Sequence, residues 1–540
     1  MTANAFRATF LALLAALGLV LSACGDDDSN SADADLGPDP ATMAPADAPF
    51  YGEAVVRPEG TMLENFNATF SKLLGTEDPS AMLTEELETA LAEDDLSYSE
   101  DIEPWLGARI GGFVTDYDPA TEQPEGAVAV AITDADAAQA FLDKAAEASD
   151  TPVTEETYEG ADYMFADEAA IGISGDFLVA GTEQGFMDAI DAGAGDSLAE
   201  NSDASASRDE IPDDSLFSAY IDTQAVIDLV ETSGALSPAQ LQQFREQIAQ
   251  YAEGAVDFWG TVGESSIELG FSAPAMTDAP EPTDLVSTFP AESWLAVAAG
   301  DVGQQLQTTI DQLEQGFQAG FEQAAPPGFP STSVDPLAEF RQATGLDLST
   351  DFDWIGDAGA YVEGTSLFGL GGAVVLEATD EAAASETVDK LQAALSKEPS
   401  LGVTPTDDGF EVQVPPASAE VAVRDGKLVL AAGAATVDEA LSPDSTLDGS
   451  DRFGTAREAL GDDLVPSFYL DFLPVVQLIE SIPEVGSDPD YQEAKPYIDA
   501  LDYLAAGSKL DGDRASGSIV LGVREAPADG EESSAATLVP

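Results

Sequence analysis

The feature that most constrains the fold of this chain is an internal repeat with a period of about 245–252 residues. Six blocks of related sequence occur twice and in the same order. The pairs are PAD at Pro45 and PAE at Pro290, PWLG at Pro104 and DWIG at Asp353, GAVAVAITDADAA at Gly126 and GAVVLEATDEAAA at Gly372, AIGISGDFLVAG at Ala170 and EVAVRDGKLVLA at Glu420, SAYIDTQAVIDL at Ser218 and SFYLDFLPVVQL at Ser467, and SSIELGF at Ser265 and GSIVLGV at Gly517. Because the period far exceeds a solenoid unit, we predict two tandem copies of one domain, at 47–275 and 288–525, joined by a linker at 276–287.

Each copy combines strand patterns with helix patterns. The segments ISGDFLVAG and VRDGKLVLA alternate apolar residues around the turn dipeptides Gly175-Asp176 and Asp425-Gly426, which predicts one β-hairpin in each copy. Thr133-Asp134 and Thr379-Asp380 are residue types that begin helices. Apolar residues at helical spacing predict a further helix in each copy; they are Met62, Leu63, Phe66, Phe70, Leu73 and Leu74, and Val302, Leu306, Ile310, Leu313, Phe317 and Phe321. We therefore predict an α+β fold with mainly antiparallel sheets and helices packed on one face.

The N-terminus has the pattern of an export signal. Arg7 precedes the uncharged, Ala- and Leu-rich segment Ala8–Val20, which is shorter than the roughly 20 apolar residues of a membrane span. The segment ends in Leu-Ser-Ala-Cys at residues 21–24, which resembles the lipobox of bacterial lipoproteins. That resemblance implies a lipoprotein signal peptide at 1–23, cleavage between Ala23 and Cys24, and a diacylglycerol on the Cys24 thiol. The alternative is an ordinary secretory signal with an incidental cysteine.

Lipid on Cys24 accounts for membrane attachment without a membrane-spanning helix. Each buried methylene contributes roughly 0.8 kcal/mol, and stable anchoring takes about two acyl chains. Residues 24–46 are rich in Asp, Ser, Ala and Pro, so we expect an acidic, disordered tether. Residues 526–540 are expected to form a disordered tail. The predicted location is the extracytoplasmic side of the cell membrane.

The charge of the chain limits its partners. Its 103 acidic and 18 basic residues give a formal net charge of −85. Nucleic-acid binding requires Lys and Arg to neutralise phosphates, so nucleic acid is excluded as a partner. Cations should be attracted weakly. The acidity fits adaptation to high salt, where ions screen self-repulsion, and it fits a generically acidic exported protein equally well.

The chain has no histidine, and its single cysteine is Cys24. A Ser-His-Asp triad and an imidazole metal site are therefore impossible, and no disulfide can form within the body of the protein. Paired carboxylates or a Ser-Lys pair would still permit catalysis. We expect a protein that is not an enzyme and that has no cofactor, metal site or catalytic residues.

Two aromatic and two acidic residues occupy matching positions in the two copies. Trp105 and Trp354 could line a ligand groove, but a Trp followed by an apolar residue and Gly is typical of a domain core. Asp222 and Asp471 each follow a predicted strand. Either aspartate could ligate a hard cation, but capping of the following helix is the preferred interpretation.

Three other patterns give little evidence of a site. Asp444, Asp448 and Asp451 lie in DSTLDGSD, which has Thr455 where a calcium loop needs Glu. GLGGAVV, at residues 369–375, has no following Lys-Ser or Lys-Thr for a phosphate loop, so it is interpreted as the entry to a strand. Phe317 and Phe321 share one face of a predicted helix, where a core face is far commoner than a lipid-binding stripe.

The repeated blocks resemble a bacterial family of exported or membrane-attached proteins, the domain-of-unknown-function family numbered 3352. The resembling segments are PADAPFYGEAVVRPEG from Pro45, EPWLGARIGGFV from Glu103, and STLDGSDRF from Ser445 with the later FYLDF from Phe468. The resemblance extends over nearly all of 45–523 and implies an exported lipoprotein. It implies no reaction, substrate or catalytic residue. One departure is Asp353, which stands in the second copy where the first has Pro104.

Together these patterns predict a lipid-anchored bacterial cell-surface protein that acts as a non-enzymatic binding or interaction module. It would contact the membrane through the diacylglycerol on Cys24 and bind an envelope protein or a hydrophobic ligand. The alternative is a carrier that holds a lipid or another hydrophobic small molecule in a cavity between sheet and helices. A hydrolase with two converging carboxylates is a third hypothesis.

Overall fold

The structure is a computed structural model that describes residues 36–525 with several gaps. Outside the description are residues 1–35, 93–95, 119–122, 149–150, 167–168, 235, 249–253, 277–278, 311–340, 343–344, 349, 367–368, 399, 415–416 and 526–540. The described residues form two compact units. Unit 1 contains 36–276, 511–516 and 523–525, and unit 2 contains 279–510 and 517–522. The predicted signal peptide and C-terminal tail lie outside the described residues.

The described part of unit 1 contains ten strands joined in one antiparallel sheet. They are β1 Phe50–Val55, β2 Leu106–Asp118, β3 Gln123–Ile132, β4 Thr154–Tyr158, β5 Ala161–Ala166, β6 Ala169–Ser174, β7 Phe177–Thr182, β8 Ser215–Asp222, β9 Ala255–Val262 and β10 Ser266–Pro274. Their order across the sheet is β4-β5-β6-β7-β3-β2-β1-β8-β9-β10. The first strand in sequence therefore lies in the interior of the sheet, between β2 and β8.

The strands of unit 2 follow the same plan. They are β11 Ser293–Ala299, β12 Ile355–Glu363, β13 Gly371–Ala378, β14 Gly402–Pro405, β15 Gly409–Val414, β16 Ala417–Arg424, β17 Lys427–Gly433, β18 Val465–Asp471, β19 Leu501–Asp511 and β20 Arg514–Val523. The end of β19 at Asp511 and both ends of β20, residues 514–516 and 523, belong to unit 1. Their order is β14-β15-β16-β17-β13-β12-β11-β18-β19-β20. Every strand thus has the same neighbours as the strand ten places earlier in unit 1.

Both predicted hairpins are confirmed. β6 pairs with β7, and β16 pairs with β17, across two-residue turns. In the second hairpin, Asp425 and Gly426 have φ values of 55° and 74°. Positive φ at both central positions is the geometry of a tight hairpin turn, whose twist matches that of the flanking strands. Aspartate and glycine tolerate this geometry better than other residues, which explains the turn dipeptide.

Helices fill the connections between strands. In unit 1 they are Gly60–Leu74, Pro79–Leu91, Ala135–Ala148, Glu183–Gly193, Ser202–Arg208, Thr223–Ser233 and Pro238–Ile248. In unit 2 they are residues 302–310, Glu381–Leu395, Val437–Leu441, Asp451–Leu460, Phe472–Glu480, Pro483–Gly486 and Pro489–Asp499. Short helical turns occur at Pro40–Met43, Tyr98–Ile102, Leu198–Glu200, Leu285–Thr288 and Leu447–Gly449. The predicted starts at Asp134 and Asp380 are confirmed, since each carboxylate accepts a hydrogen bond from a backbone N–H of the following helix.

Helices pack on both faces of the sheet, which corrects the prediction that they occupy one face. On β3, Ala129 belongs to a core with Phe186 of the helix Glu183–Gly193. The adjacent Val130 belongs to a different core, with Phe141 of the helix Ala135–Ala148. Successive side chains of a strand point to opposite faces, so both faces are covered. The prediction failed because β3 is apolar on both faces, which leaves no polar side in the sequence to mark solvent.

Candidate functional site

Four large apolar side chains are exposed beside one another on three adjacent strands of unit 1. Phe217 on β8, Phe258 on β9, and Leu269 and Phe271 on β10 are 38–49% exposed. In the strand register, Phe258 lies opposite Phe271, and Gly260 lies opposite both Phe217 and Leu269. Directly opposed residues of antiparallel strands have Cβ atoms about 5 Å apart. The four side chains therefore form one continuous surface, which we name the β8–β10 apolar face.

The apolar face is uncharged along all three strands. A Cβ atom added to Gly260 would lie 2.2 Å from Cε1 of Phe217, so glycine is needed here to let the Phe217 ring lie across the neighbouring strand. The remaining residues on the same side are also apolar; they are Ala219 and Ile221 on β8, Val256 and the buried Val262 on β9, and Ile267 and Ala273 on β10. Exposed patches of this kind mark interaction sites.

The opposite side of the same strands carries a buried polar cluster. Asp257 on β9 is fully buried, and its Oδ2 accepts hydrogen bonds from Ser207 Oγ and, at 3.3 Å, from Arg514 Nη2. Arg514 also donates to Ser272 Oγ at 2.7 Å. Asp257 Oδ1 has no hydrogen-bond partner among the described residues. Burial raises the pKa of Asp257, and the hydrogen bond from Ser207 and the charge of Arg514 oppose that shift only in part.

An open cleft of about 300 Å³ lies beside β1 and β8 of unit 1. The Glu53 carboxylate on its wall is 3.1 Å from Arg109 Nη1 and 3.3 Å from Arg208 Nη2, and it accepts a hydrogen bond from the Tyr51 hydroxyl at 2.8 Å. Arg208 lies over the Tyr51 ring, 5.3 Å from its centroid, and its Nη2 is 3.4 Å from Asp39 Oδ1. Burial and the adjacent Glu53 charge raise the pKa of Tyr51 well above its ordinary value, so the hydroxyl stays protonated.

None of the cleft residues was singled out by sequence reasoning. Glu53 is 56 positions from Arg109 and 155 positions from Arg208, so no local pattern connects them. The one sequence signal that could have pointed to Arg109 and Arg208 is the rarity of basic residues. Only 18 basic residues occur in a chain with 103 acidic ones, and two of the arginines lie in this one cleft.

The two tryptophans are core residues, as preferred from the sequence. Trp105 and Trp354 are 1% and 3% exposed. The indole Nε1 of each donates to a preceding backbone carbonyl, that of Asp101 or Asp351, at 2.7 Å. A buried indole needs such an acceptor. Neither ring is available to a ligand.

The two aligned aspartates are helix caps, which confirms the preferred interpretation. Asp222 Oδ1 accepts from the backbone N–H groups of Gln224 and Ala225 at 2.9 Å. Asp471 Oδ1 accepts from the backbone N–H of Leu473 at 2.9 Å, and its carboxylate also binds the Arg452 guanidinium, with Nη2 2.7 Å from Oδ1. At Asp471 the hydrogen bonds occupy both carboxylate oxygens, and at Asp222 the cap occupies Oδ1.

The remaining sequence patterns hold no site in the part of the chain that the structure describes. The Asp448 carboxylate pairs with Arg457, and no group of three or more Asp, Glu or Cys side chains is arranged to hold a metal ion among the described residues. The glycine-rich segment before Val374 leads into β13, as predicted.

Several predicted residues fall outside the described part of the chain. Cys24 and Ala23, the predicted lipidation and cleavage residues, lie there, and so do Phe317 and Phe321. Among the described residues, no helix is both long enough and apolar enough to cross a membrane.

Comparisons with known proteins identify a family. No curated protein matches the chain. Solved structures that resemble it include three crystal forms of a protein designated TP0453. Forms IV, III and I are 13%, 11% and 9% identical, with TM-scores of 0.21, 0.23 and 0.24, and the matches cover 44%, 45% and 45% of this chain and 81%, 82% and 81% of the other. Scores this low do not indicate a shared fold. The model of the family described as "Protein of unknown function (DUF3352)" matches residues 7–521, nearly the whole sequence, and the chain therefore belongs to that family.

Proposed function

We propose that this protein is a non-enzymatic binding module, held on the extracytoplasmic side of the bacterial cell membrane by a diacylglycerol on Cys24. The observation that carries the proposal is the β8–β10 apolar face. Burying apolar area contributes about 25 cal/mol per Å², so a partner that covers Phe258, Leu269 and Phe271 would be bound mainly through the hydrophobic effect. The occupant that we propose is an apolar segment of another envelope protein.

The carrier hypothesis has less support from the described residues. A lipid carrier needs an enclosed, mostly apolar cavity. The cleft of about 300 Å³ in unit 1 is open and is lined by Asp39, Glu53, Arg109 and Arg208. Charged walls would have to lose their hydration to hold an acyl chain. Of the four exposed side chains of the β8–β10 apolar face, Phe217 also lines this cleft, whereas Phe258, Leu269 and Phe271 do not.

We further propose that the chain contains two copies of one domain, at 47–275 and 288–525. The equal strand order of the two units supports this proposal, because unrelated sheets of ten strands have very many possible orders. Matching positions support it as well. Trp105 and Trp354 are both buried beside a backbone carbonyl acceptor, and Asp222 and Asp471 both cap the helix after the eighth strand of their unit.

The anchor is tested by replacing the predicted lipidated residue. Cys24→Ser should abolish the acyl mass on the mature N-terminus and leave uncleaved precursor or released protein, because only a thiol accepts the diacylglycerol. Ser22→Ala keeps the thiol and the small residue, so it should be processed normally. Mass spectrometry of the membrane and medium fractions measures the acyl mass and the signal-peptide cleavage of both variants. A Cys24→Ser protein that is processed and retained in the membrane would contradict the anchor.

The apolar face is tested by photo-crosslinking in cells. A photoreactive phenylalanine at Phe258 should give one crosslinked protein of discrete mass. The same group at Tyr497, which is 55% exposed on unit 2, serves as the matched control and should give no discrete band. Leu269→Asp should remove the Phe258 crosslink, since it places a charge in the centre of the face. Crosslinks to lipid alone would favour the carrier hypothesis, and equal patterns at both positions would refute the proposed surface.

A further inference from the structure

The cleft of unit 1 has hydrogen-bond donors that the protein does not use. Within the described residues, both hydrogen bonds of Arg208 leave from Nη2, to Asp39 and Glu53, and both are long, at 3.4 and 3.3 Å. Nε and Nη1 of this guanidinium have no protein acceptor there. Arg208 is held in place by the Tyr51 ring beneath it, so the free donors are preorganised. A guanidinium edge with two free donors is suited to a carboxylate.

Unpaired carboxylates lie on the same cleft. Asp39 and Glu53 are neutralised by Arg208 and Arg109. Asp209 and Asp213 also line the cleft, and their carboxylates have no ion pair or hydrogen bond among the described residues. The cleft therefore presents unused N–H donors of Arg208 and unused carboxylates of Asp209 and Asp213 at once. A simple anion would satisfy only the first set, and a simple cation only the second.

Apolar residues supply the rest of the lining. Val55, Ile211 and Leu216 line the cleft beside the charged groups. A volume of about 300 Å³ is at the lower limit of ligand pockets, which suits a molecule of amino-acid size. We propose that this cleft binds a small zwitterion, an α-amino acid with an apolar side chain. Its carboxylate would bind Arg208, its ammonium would bind Asp209 and Asp213, and its side chain would contact the apolar lining.

Unit 2 retains Arg457 on the helix that corresponds to Ser202–Arg208, but it lacks Tyr51 and Glu53 at the equivalent positions of its first strand. Tyr51 lies opposite Phe113 on β2, and the corresponding pair on β11 and β12 is Ala296 and Tyr361. Two residues further along the first strand, Glu53 corresponds to Ala298. Alanine at both positions removes the ring and the carboxylate that hold Arg208. The amino-acid site is therefore assigned to unit 1 alone.

Isothermal titration of the full-length protein in detergent tests the assignment. L-leucine should bind saturably with one site per chain. Isovalerate and isopentylamine are the matched halves of leucine, with one charged group each, and neither should bind with comparable affinity. Isovalerate that binds as tightly as leucine would reveal a plain anion site, and isopentylamine that binds as tightly would reveal a plain cation site. Either result, or no leucine binding at millimolar concentration, would overturn the proposal.

Variants locate the site. Arg208→Gln should weaken leucine binding by about tenfold or more, because a hydrogen bond to a charged group is lost. Arg457→Gln is the matched control, since Arg457 lies near the end of the corresponding helix of unit 2 and pairs with Asp448; it should leave binding unchanged. The double variant Asp209→Asn, Asp213→Asn alters exposed side chains, so it should fold normally and bind leucine more weakly. Unchanged affinity in this double variant would overturn the assignment of the ammonium.

Discussion

Units 1 and 2 have the same strand order but different charged residues at equivalent positions. On the first strand, unit 1 carries Tyr51 and Glu53, whereas unit 2 carries Ala296 and Ala298. At the cap after the eighth strand the difference is reversed. Among the described residues, Asp222 binds backbone N–H groups only, whereas Asp471 also binds an arginine. The sheet order is thus compatible with either set of residues, and the chemistry of each unit is set by side chains that the sheet does not require.

The largest expected effect concerns what the units share. Trp105→Ala and Trp354→Ala should each destabilise their unit by about 3–5 kcal/mol, because each removes a fully packed indole and leaves a cavity. Urea unfolding followed by circular dichroism would show an earlier transition for either variant. Trp294→Ala is the control. Its indole is only partly buried, with Nε1 2.9 Å from the Gly364 carbonyl oxygen, so the loss should be smaller. Wild-type stability of Trp105→Ala would show that the aligned tryptophans have different roles.

The shared features were the ones that the sequence could predict. Hairpins, caps and buried tryptophans depend on neighbouring residues, so short patterns such as Asp425-Gly426 reveal them. The cleft depends on Glu53, Arg109 and Arg208, which only the completed sheet brings together. The apolar face was hidden for another reason. In the segment AVDFWGTV, Asp257 and Thr261 lie on one side of the strand and Phe258 lies on the other, so alternation assigns the side of Asp257 to solvent. The structure has the opposite arrangement, with Asp257 buried and Phe258 exposed.

The second prediction compares the two caps. Asp222→Ala should cost about 1 kcal/mol, the usual value for a lost N-cap. Asp471→Ala should cost about 2–3 kcal/mol, because it removes a cap and also separates the ion pair with Arg452, in which Asp471 is the buried partner. Arg452 retains Asp502 at 2.8 Å, which limits the loss. Chemical denaturation of both variants measures the difference. Equal losses would mean that the arginine contributes nothing at the cap.

The third prediction uses pH to separate the units. The pKa of Asp257 in unit 1 is raised by burial. Because the pKa of Asp257 is higher in the folded state than its ordinary value of 3.8, the folded state binds the proton more tightly than the unfolded state does. The stability gained from that proton is fully present below pH 3.8 and is lost as the pH rises through the folded-state pKa. Asp257→Asn removes this titration. The melting temperature of wild type relative to the variant should therefore rise as pH falls from 7 to 4. A difference that does not change with pH would show that the Arg514 charge fully compensates the buried carboxylate.

The smallest expected effect concerns a lysine that the two units share. Lys144 binds Asp101, and Lys390 binds Asp351, in each case the aspartate whose carbonyl accepts the tryptophan N–H. The two lysines are 46% and 34% exposed, although Asp101 and Asp351 are only 15% and 14% exposed. Because solvent at the lysines weakens the charge interaction, Lys144→Met and Lys390→Met should each lower the melting temperature by about 2 °C or less.

The pH dependence of the Lys390 variant shows whether this pair acts through charge. Burial opposes ionisation of Asp351, but the hydrogen bonds from Lys390 and from the Asp347 backbone N–H outweigh it, so the pKa of Asp351 is lowered. A lowered folded-state pKa contributes stability above the ordinary value of 3.8, and that stability is lost as pH falls through the folded value. The melting temperature of Lys390→Met should therefore lie below that of the wild type at pH 6 and equal it near pH 2. A deficit of equal size at both pH values would mean that the lysine stem contributes by packing against the helix and that its charge contributes nothing.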